Sequence, residues 1–350
     1  MVDFRYHIVS IVAVFLALAV GIVLGAGPLK DVSDQGLRDS VSSFRAENNT
    51  LREQLTDSRA QTAVTDQFTD QVAATLVAGR LPDAPVVLVV LPGADNDLTD
   101  RVSDLLEDSG AAVTGTVSIR DAWTGTDADS RFTGALATAA PSPNAAGTGS
   151  GTATPSPTTS GDQAATRAAA LLAEAVVGPA GGRTGTATPT PRRSPGPVAG
   201  VADVAQSGTV DGSVLQAFTR AGLVDTGSDL TDRAAVAVVV APAAPDQPTT
   251  ATRTGVDRLT LLVRALRAAG SGTVVAGPAA AAADGGVVQD VRADPAATSE
   301  VSTVDSIDRP AEAVAVVLAL VEQVQGGVGD YGAVGTTDGA LPAVTGLTSP

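Results

Sequence analysis

The sequence has no cysteine, one histidine (His7) and one lysine (Lys30) among its 350 residues. Without cysteine, disulfide bonds, thiolate metal sites and thiol nucleophiles are excluded. Because the one histidine lies at the edge of a long apolar run, neither a Ser-His-Asp triad nor an HExxH zinc motif can form. The position of Lys30 excludes a P-loop in the later part of the chain. We therefore predict no catalytic residue, no metal ligand and no cofactor-binding residue, and a protein that is not an enzyme.

Basic side chains are also scarce beyond the N-terminus. Residues 31–350 carry 20 basic and 37 acidic side chains, which gives a formal charge of −17. Such a surface repels phosphate groups, so neither nucleic acid nor an anionic lipid surface is expected as a partner.

One long apolar run occupies residues 8–26. At about 1.5 Å per residue, a helix of this length crosses the roughly 30 Å hydrocarbon core of a membrane once. A cleaved signal peptide is the alternative, but the run exceeds the usual signal core and Pro28 would follow the cleavage site. We predict an uncleaved anchor in residues 1–30, with a cytoplasmic N-terminus favoured by Arg5 and the bulk of the chain extracytoplasmic.

Small residues recur at every fourth position of this predicted anchor. Such a ridge lets two helix backbones approach closely, although alanine and glycine are common throughout this chain. The predicted packing positions are Ala13, Ala17, Gly21 and Gly25.

A heptad pattern follows in residues 31–80, which we predict to be a coiled-coil helix next to the membrane. An asparagine at an a position favours a parallel two-stranded register, because its amide pairs with that of the partner chain. We therefore predict a parallel homodimer; an amphipathic helix folded on its own domain is the alternative. The seam has Val41, Asn48 and Leu55 at a, and Leu37, Phe44 and Leu51 at d.

The heptad seam weakens at the next two positions, which are Ser58 and Thr62. Apolar spacing then resumes out of register, and we expect this second face to pack on the following domain. Its residues are Val64, Phe68, Val72 and Leu76.

Residues 84–335 read as an α/β domain. Short continuous apolar runs are typical of strands buried on both faces, and they alternate here with amphipathic helical segments. This alternation predicts a Rossmann-like or flavodoxin-like parallel sheet of four to six strands. The predicted strands are 86–91, 113–119, 235–240 and 272–276, and the predicted helices include 97–109, 163–177 and 254–269.

Two tracts rich in Pro, Thr, Ser, Gly and Ala interrupt this domain, at residues 139–162 and 178–200. They lack the large apolar residues needed to offset the entropy of ordering, so we predict disordered insertions. Their composition suits O-glycosylation in an exported protein, and unmodified flexible loops fit equally well. Residues 336–350 are predicted to be a flexible tail.

The loop after the first predicted strand carries no GxGxxG fingerprint, so the sequence does not support dinucleotide binding. Two carboxylate pairs, Asp95/Asp97 and Asp127/Asp129, have a spacing that a hard cation could use, but helix capping and turns account for them more simply. Trp123 is expected to be a packing anchor.

The C-terminal segment combines a polar motif with a helix beginning near Pro310. Asp308 is a plausible N-cap for this helix, and its apolar stretch is too short to span a membrane. The motif residues that we single out are Ser302, Thr303, Asp305, Asp308, Gly329 and Tyr331.

The two ends of the chain carry a family resemblance. The segments RYHIVSIVAVFLALAVGIVLGAGPL and EVSTVDSIDRPAEAVAVVLALVEQVQGGVGDYG resemble the actinobacterial MctB-like family, the group of mycobacterial copper transport protein B. The resemblance implies a single-pass envelope protein with a role in copper efflux or homeostasis, often described as an outer-membrane channel. It also implies, for some relatives, control of septal and cell-wall hydrolases through a membrane partner.

Copper(I) prefers thiolate, thioether and imidazole ligands, and this chain offers none of these beyond Met1 and His7. Two hypotheses follow from this mismatch. The first is a copper-homeostasis component that acts indirectly, through an envelope or membrane partner. The second is a non-enzymatic dimeric scaffold whose coil holds an α/β binding domain for a partner in cell-wall or cell-division control.

Overall fold

The structure is a computed structural model, and it describes residues 4–26, 28–139, 160–178, 208–227, 230 and 232–343. Side-chain exposure is described for residues 5–23. From residue 40 onward it is described for every residue in the ranges above except Ser160. Residues 140–159 and 179–200 of the predicted insertions lie outside the described part. The chain divides into two compact units, Met1–Thr65 and Asp66–Pro350.

The first unit is helical. Helix α1 (Phe4–Ala26) contains an apolar stretch, Arg5–Val23, that is long enough to cross a membrane and is exposed along its whole length. Helix α2 (Pro28–Val77) begins in this unit and extends into the second.

The second unit alternates helices and strands. Its first half contains β1 (Pro85–Val90), α3 (Asn96–Asp108), β2 (Ala112–Ile119), α4 (Ala128–Thr138) and α5 (Ser160–Val176). Its second half contains α6 (Gly212–Arg220), β3 (Val224–Thr226), β4 (Val236–Val240), α7 (Thr250–Ala269), β5 (Gly272–Ala276), α8 (Val287–Ala293), β6 (Ser302–Val304), α9 (Pro310–Val324) and β7 (Asp330–Tyr331).

The seven strands form one sheet in the order β3-β2-β1-β4-β5-β6-β7. All neighbouring pairs are parallel except β2 and β3, which are antiparallel. The α/β class and the mostly parallel sheet are confirmed, and the parallel strands taken alone follow the flavodoxin-like order. The expectation of four to six strands was too low, because β3, β6 and β7 are only two or three residues long.

Alternate residues of the central strands enter two separate cores. Val87 and Val89 of β1 face the core beneath α4 to α8. Val86 and Leu88 face the opposite core, which is closed by α3, α9 and the end of α2. Strands covered on both faces are apolar at every position, which explains the unbroken valine runs of β1 and β4.

Helix α2 contributes to the second core with residues that differ from those expected. Ala73 and Val77 are buried there. Val64, Phe68 and Leu76 are exposed, and Val72 is half-buried. The prediction of a packing face at those positions was therefore wrong by about one residue, a quarter turn on a helix of 3.6 residues per turn.

Local signals account for most helix ends. Asp95 caps α3 by accepting a hydrogen bond from the Asp97 backbone N–H at 2.8 Å. Thr249 and Thr252 form a reciprocal capping box at α7. Gly110 follows α3 at φ +84°, a conformation that glycine adopts without steric cost.

Candidate functional site

The sheet creates a crevice where its strand order reverses, between β1 and β4. The chain leaves β1 through Pro92 and Gly93, and it leaves β4 through Pro242 and Ala243. In open α/β sheets, ligands bind outside the carboxyl ends of the strands at this kind of switch point. A cavity of about 520 Å³ lies here, a volume in the range of small-molecule sites.

The walls of the crevice are mainly apolar. The crevice is lined by the loop that follows β2 and by Pro92, Pro242, Val256, Leu259 and Val287. The polar side chains of the lining are few, so it suits a largely apolar ligand with few hydrogen-bonding groups; they are Asp121, Thr124, Thr126 and Thr252.

Close approach between α7 and the loop after β2 shapes one side of the cavity. A Cβ built on Gly255 would lie 2.9 Å from the Cβ of Thr124, so only glycine fits at this position without a shift. Trp123, the residue before Thr124, is buried and makes an edge contact with Phe132 at 4.9 Å between ring centroids. Trp123 is a packing anchor, and it lies directly beside the crevice loop.

Cations near the crevice are engaged by carboxylates or carbonyls. Arg258 donates to the Gly125 carbonyl at 3.0 Å and to Asp129 at 2.9 Å. Arg253 forms an ion pair with Asp284 at 2.9 Å. Asp121 is the one charged side chain among the described lining residues. The crevice therefore offers a phosphate group no charge complement.

The second polar feature of the domain is centred on Arg292, in α8. Its guanidinium donates to Thr303 Oγ1 at 2.7 Å, to Asp305 Oδ2 at 2.9 Å, and to the carbonyls of Tyr331 and Val334 at 2.8 and 2.9 Å. Asp305 is fully buried, and it also accepts from the backbone N–H of Ala333 at 2.8 Å. This one arginine therefore joins β6, β7 and the segment that follows them.

Ser302 connects the same strands to α9. Its hydroxyl oxygen accepts from Gln323 Nε2 at 2.9 Å and from the Gly329 N–H at 3.2 Å. Tyr331 donates from its hydroxyl to a carboxylate oxygen of Glu322. Burial, followed by this bond and the negative charge of Glu322, raises the pKa of Tyr331. The phenol is therefore protonated at neutral pH and acts as a donor.

The structure brings five of the six motif residues to one place: Ser302, Thr303, Asp305, Gly329 and Tyr331 surround the β6–β7 pair. Asp308 lies apart from them, and its Oδ1 accepts from the Ala279 N–H at 3.3 Å. The N-cap of α9 is Arg309 rather than Asp308, because the helix begins at Pro310, whereas a cap at Asp308 would require it to begin at Arg309.

The segment from residue 336, which we expected to be a flexible tail, is hydrogen-bonded to β7 and to the residue that follows it. The Asp338 N–H donates to the Asp330 carbonyl at 2.7 Å, and the Gly332 N–H donates to the Gly339 carbonyl at 3.0 Å. Residues 344–350 lie outside the described part.

The predicted interchain positions are exposed in the single chain. On α1, Ala13, Ala17 and Gly21 are exposed. On α2, the exposed seam residues are Val41, Phe44, Asn48, Leu51 and Leu55. The side chains of Gly25 and Leu37 lie outside the described residues.

Within the described ranges, no group of three or more His, Cys, Asp and Glu side chains is arranged to hold a metal ion. Three of the four carboxylates that we considered have other contacts. Asp95 caps α3, Asp127 pairs with Arg131 at 2.7 Å, and Asp129 pairs with Arg258. The Arg131 hydrogen bond lowers the pKa of Asp127.

These features define a class of protein: a doubly wound α/β domain preceded by a long helix and by one apolar helix able to anchor it in a membrane. A family model described as "Copper transport outer membrane protein, MctB" matches residues 1–342, and the chain belongs to this family.

Two relatives named "Copper transporter MctB", from Mycobacterium tuberculosis and Mycobacterium bovis, are each 30% identical to this chain over 334 residues. The match covers 95% of this chain and 96% of each relative. A relative of the same name from Mycobacterium leprae is 34% identical over 119 residues, which is 34% of this chain and 38% of the relative. These names describe transporters rather than enzymes, and the family description fits a membrane-anchored protein.

Proposed function

We propose that this chain is a membrane-anchored component of copper homeostasis that supports copper handling without ligating the metal itself, by displaying its α/β domain to a partner protein. The copper role is carried over from the names of the family and its relatives. The indirect mode rests on one observation, which is the donor set of the sequence.

Copper(I) is bound by soft sulfur ligands or by imidazole. The sequence has no cysteine, and its methionine and histidine are Met1 and His7. His7 lies within the apolar stretch Arg5–Val23. The soft donors of the sequence therefore lie within its first seven residues, and residues 8–350 supply no thiolate, thioether or imidazole. Apart from the indole of Trp123, the polar side chains of residues 66–343 are carboxylates, hydroxyls, amides and arginines, and these suit hard cations or none.

The arrangement that we propose places the N-terminus in the cytoplasm, α1 in the cell membrane and the α/β domain outside. The formal charge of −17 on residues 31–350 supports a partner with a basic or neutral docking face. Such a partner would be another membrane or envelope protein.

The test is a complementation assay with the full chain in a host that lacks its own copy and is sensitive to copper. We expect the His7→Ala variant to restore copper tolerance as well as the unmodified chain. Tyr6→Ala, at the same end of α1, is the matched control for a general effect on the anchor. Loss of tolerance in His7→Ala alone would overturn the indirect role, as would stoichiometric Cu(I) binding by the full chain in detergent under competition with a chelator.

The exposed apolar face of α2 favours a second candidate, a dimeric envelope scaffold that binds a partner in cell-wall or cell-division control. The same host separates the two functions. A scaffold predicts a septation or cell-shape defect that is independent of added copper and is restored by the full chain. A copper role predicts a defect that grows with copper concentration.

A further inference from the structure

We infer that residues 41–59 of α2 form a parallel coiled coil with the same segment of a second copy of this chain, and that arginines at the e positions exclude the antiparallel pairing. This inference does not depend on the copper role, because it rests on one helix face and its flanking charges.

The seam is an apolar stripe, interrupted by Asn48, that no residue in the described part of the chain covers. Val41 is 45% exposed, Phe44 69%, Leu51 51% and Leu55 56%. Four large apolar side chains at a and d spacing on a solvated helix are costly unless another helix covers them. The stripe ends after Leu55, because the next d and a positions are Ser58 and Thr62, and the Thr62 hydroxyl donates to the Ser58 carbonyl of its own helix at 3.0 Å.

The charges beside the seam show which occupant fits. With Val41, Asn48 and Leu55 at a, the three e positions are all arginine: Arg45, Arg52 and Arg59. The preceding g positions are Ser40, Glu47 and Gln54. In a parallel pair, a g residue lies beside the e residue of the next heptad in the partner chain. Glu47 then faces the arginine at position 52 of the other copy, and symmetry forms this ion pair twice.

The antiparallel arrangement brings e beside e and g beside g. It would place arginine against arginine along the seam, and like charges at this distance repel. The remaining e residues of the parallel pair, Arg45 and Arg59, face serine and glutamine, which are neutral. Charge therefore favours the parallel orientation, which is also the one that two chains anchored by the same N-terminal helix would adopt.

A second copy fits better than an unrelated helix because the surface is self-complementary. Glu47 and Arg52 lie on the same chain, so a two-fold axis along the seam satisfies both at once. Asn48 lies at an a position, where its amide pairs only with an in-register amide opposite. A second copy of this chain covers the apolar stripe, completes the ion pair between Glu47 and Arg52, and pairs with Asn48.

The absence of cysteine makes a direct test possible, because a single introduced cysteine is the only thiol in the chain. Leu51→Cys at d should form a disulfide-linked dimer on mild oxidation of the full chain in its membrane, since facing d positions in a parallel pair lie within disulfide range. Ala46→Cys, at an f position on the opposite face, is the matched control and should remain monomeric. The inference would be contradicted if Ala46→Cys formed the dimer as fast as Leu51→Cys. It would also be contradicted if neither variant formed a disulfide-linked dimer.

Charge reversal tests the orientation. In the Leu51→Cys background at low salt, Glu47→Arg should lower the cross-linking yield about threefold or more, because two attractive pairs become repulsive. Adding Arg52→Glu restores the opposite charges and should recover the yield. Both changes lie on the solvated surface of α2, and unchanged emission of Trp123 will show that the folded domain is intact. Failure of the double variant to recover the yield would overturn the role of these charges.

Discussion

Arg292 Nη1 lies 2.9 Å from Oδ2 of Asp305, a carboxylate with no solvent exposure. Arg292 lies in α8, and Asp305 directly follows β6. The guanidinium also donates hydrogen bonds to the carbonyls of Tyr331 and Val334. A buried charge pair of this kind is costly to bury but more costly to break, because removing one partner leaves the other desolvated and unpaired.

We therefore expect Asp305→Asn to destabilise the domain by about 3–5 kcal/mol, a large fraction of the stability of a typical domain. The measurement is chemical unfolding followed by the fluorescence of Trp123. Asp225→Asn is the matched control, because its ion pair with Arg120 is more than half exposed on both sides. That variant should change stability by less than about 1 kcal/mol. Equal effects of the two variants would show that the Arg292 pair is not structural.

Ser302 provides a second prediction in the same region. Its hydroxyl oxygen accepts from Gln323 and from the backbone of Gly329, so Ser302→Ala leaves the buried Gly329 N–H and one of the two Gln323 Nε2 hydrogens without an acceptor. The expected cost is about 1–3 kcal/mol in the free energy of unfolding. Ser299→Ala removes an exposed hydroxyl that donates to Ala296 at 3.3 Å, and it should be nearly neutral. A neutral Ser302→Ala would mean that water replaces the hydroxyl.

Glu312 gives the domain a pH dependence with a defined sign. Its side chain is 9% exposed, and its Oε2 accepts no hydrogen bond within the described part of the chain. Burial raises the pKa of Glu312 above 4.5 and outweighs a backbone hydrogen bond and the charge of Arg309, which lower it. The nearby Asp308 and Asp66 add to the rise in this pKa. The folded state then binds the proton more tightly than the unfolded state, so this residue lowers stability as the pH rises above 4.5.

Replacing this glutamate with Gln removes the ionisation. The unfolding midpoint of Glu312→Gln minus that of the unmodified chain should therefore increase from pH 4.5 to pH 7. Asp104→Asn is a suitable comparison, because this carboxylate lies on the exposed face of α3. A flat difference would show that folding leaves the pKa of the glutamate unchanged, and a falling one would show that the folded state stabilises its ionised form.

The strands differ sharply in how far the sequence predicts them. The sequence predicts β1, β4 and β5 from their apolar runs, because burial on both faces demands apolar residues at every position. The sequence does not predict β6, because Ser302 and Thr303 are polar. These two side chains are buried with hydrogen bonds to side chains from α9, α8 and β7. Strands of two or three residues leave no periodicity to detect.

The candidate sites show the same limit. The anchor and the heptad seam are local patterns, so the sequence places them directly. The role of Arg292 depends on contacts with residues 11 to 42 positions away, and no local signal marks it. The crevice between β1 and β4 follows from strand order, which could be expected only in general terms from the alternation of strands and helices.

Two helical glycines provide a test of how tightly the crevice is built. A methyl group at Gly255 would meet Thr124 at 2.9 Å between Cβ atoms, so Gly255→Ala must push α7 away from the crevice loop. Overpacking of this kind costs about 1–3 kcal/mol. Gly134 lies on the exposed face of α4, and nothing lies within 4 Å of a Cβ built there. Gly134→Ala should therefore stabilise the domain by about 0.5–1 kcal/mol, the ordinary gain from replacing glycine inside a helix.

The two substitutions add the same methyl group to a helical glycine, so their opposite signs isolate the contact with Thr124. Thermal unfolding of both variants measures the difference, and the emission of Trp123 reports movement of the neighbouring loop. If Gly255→Ala is as stabilising as Gly134→Ala, α7 and the crevice loop can separate freely, and the crevice is then not a preformed cavity.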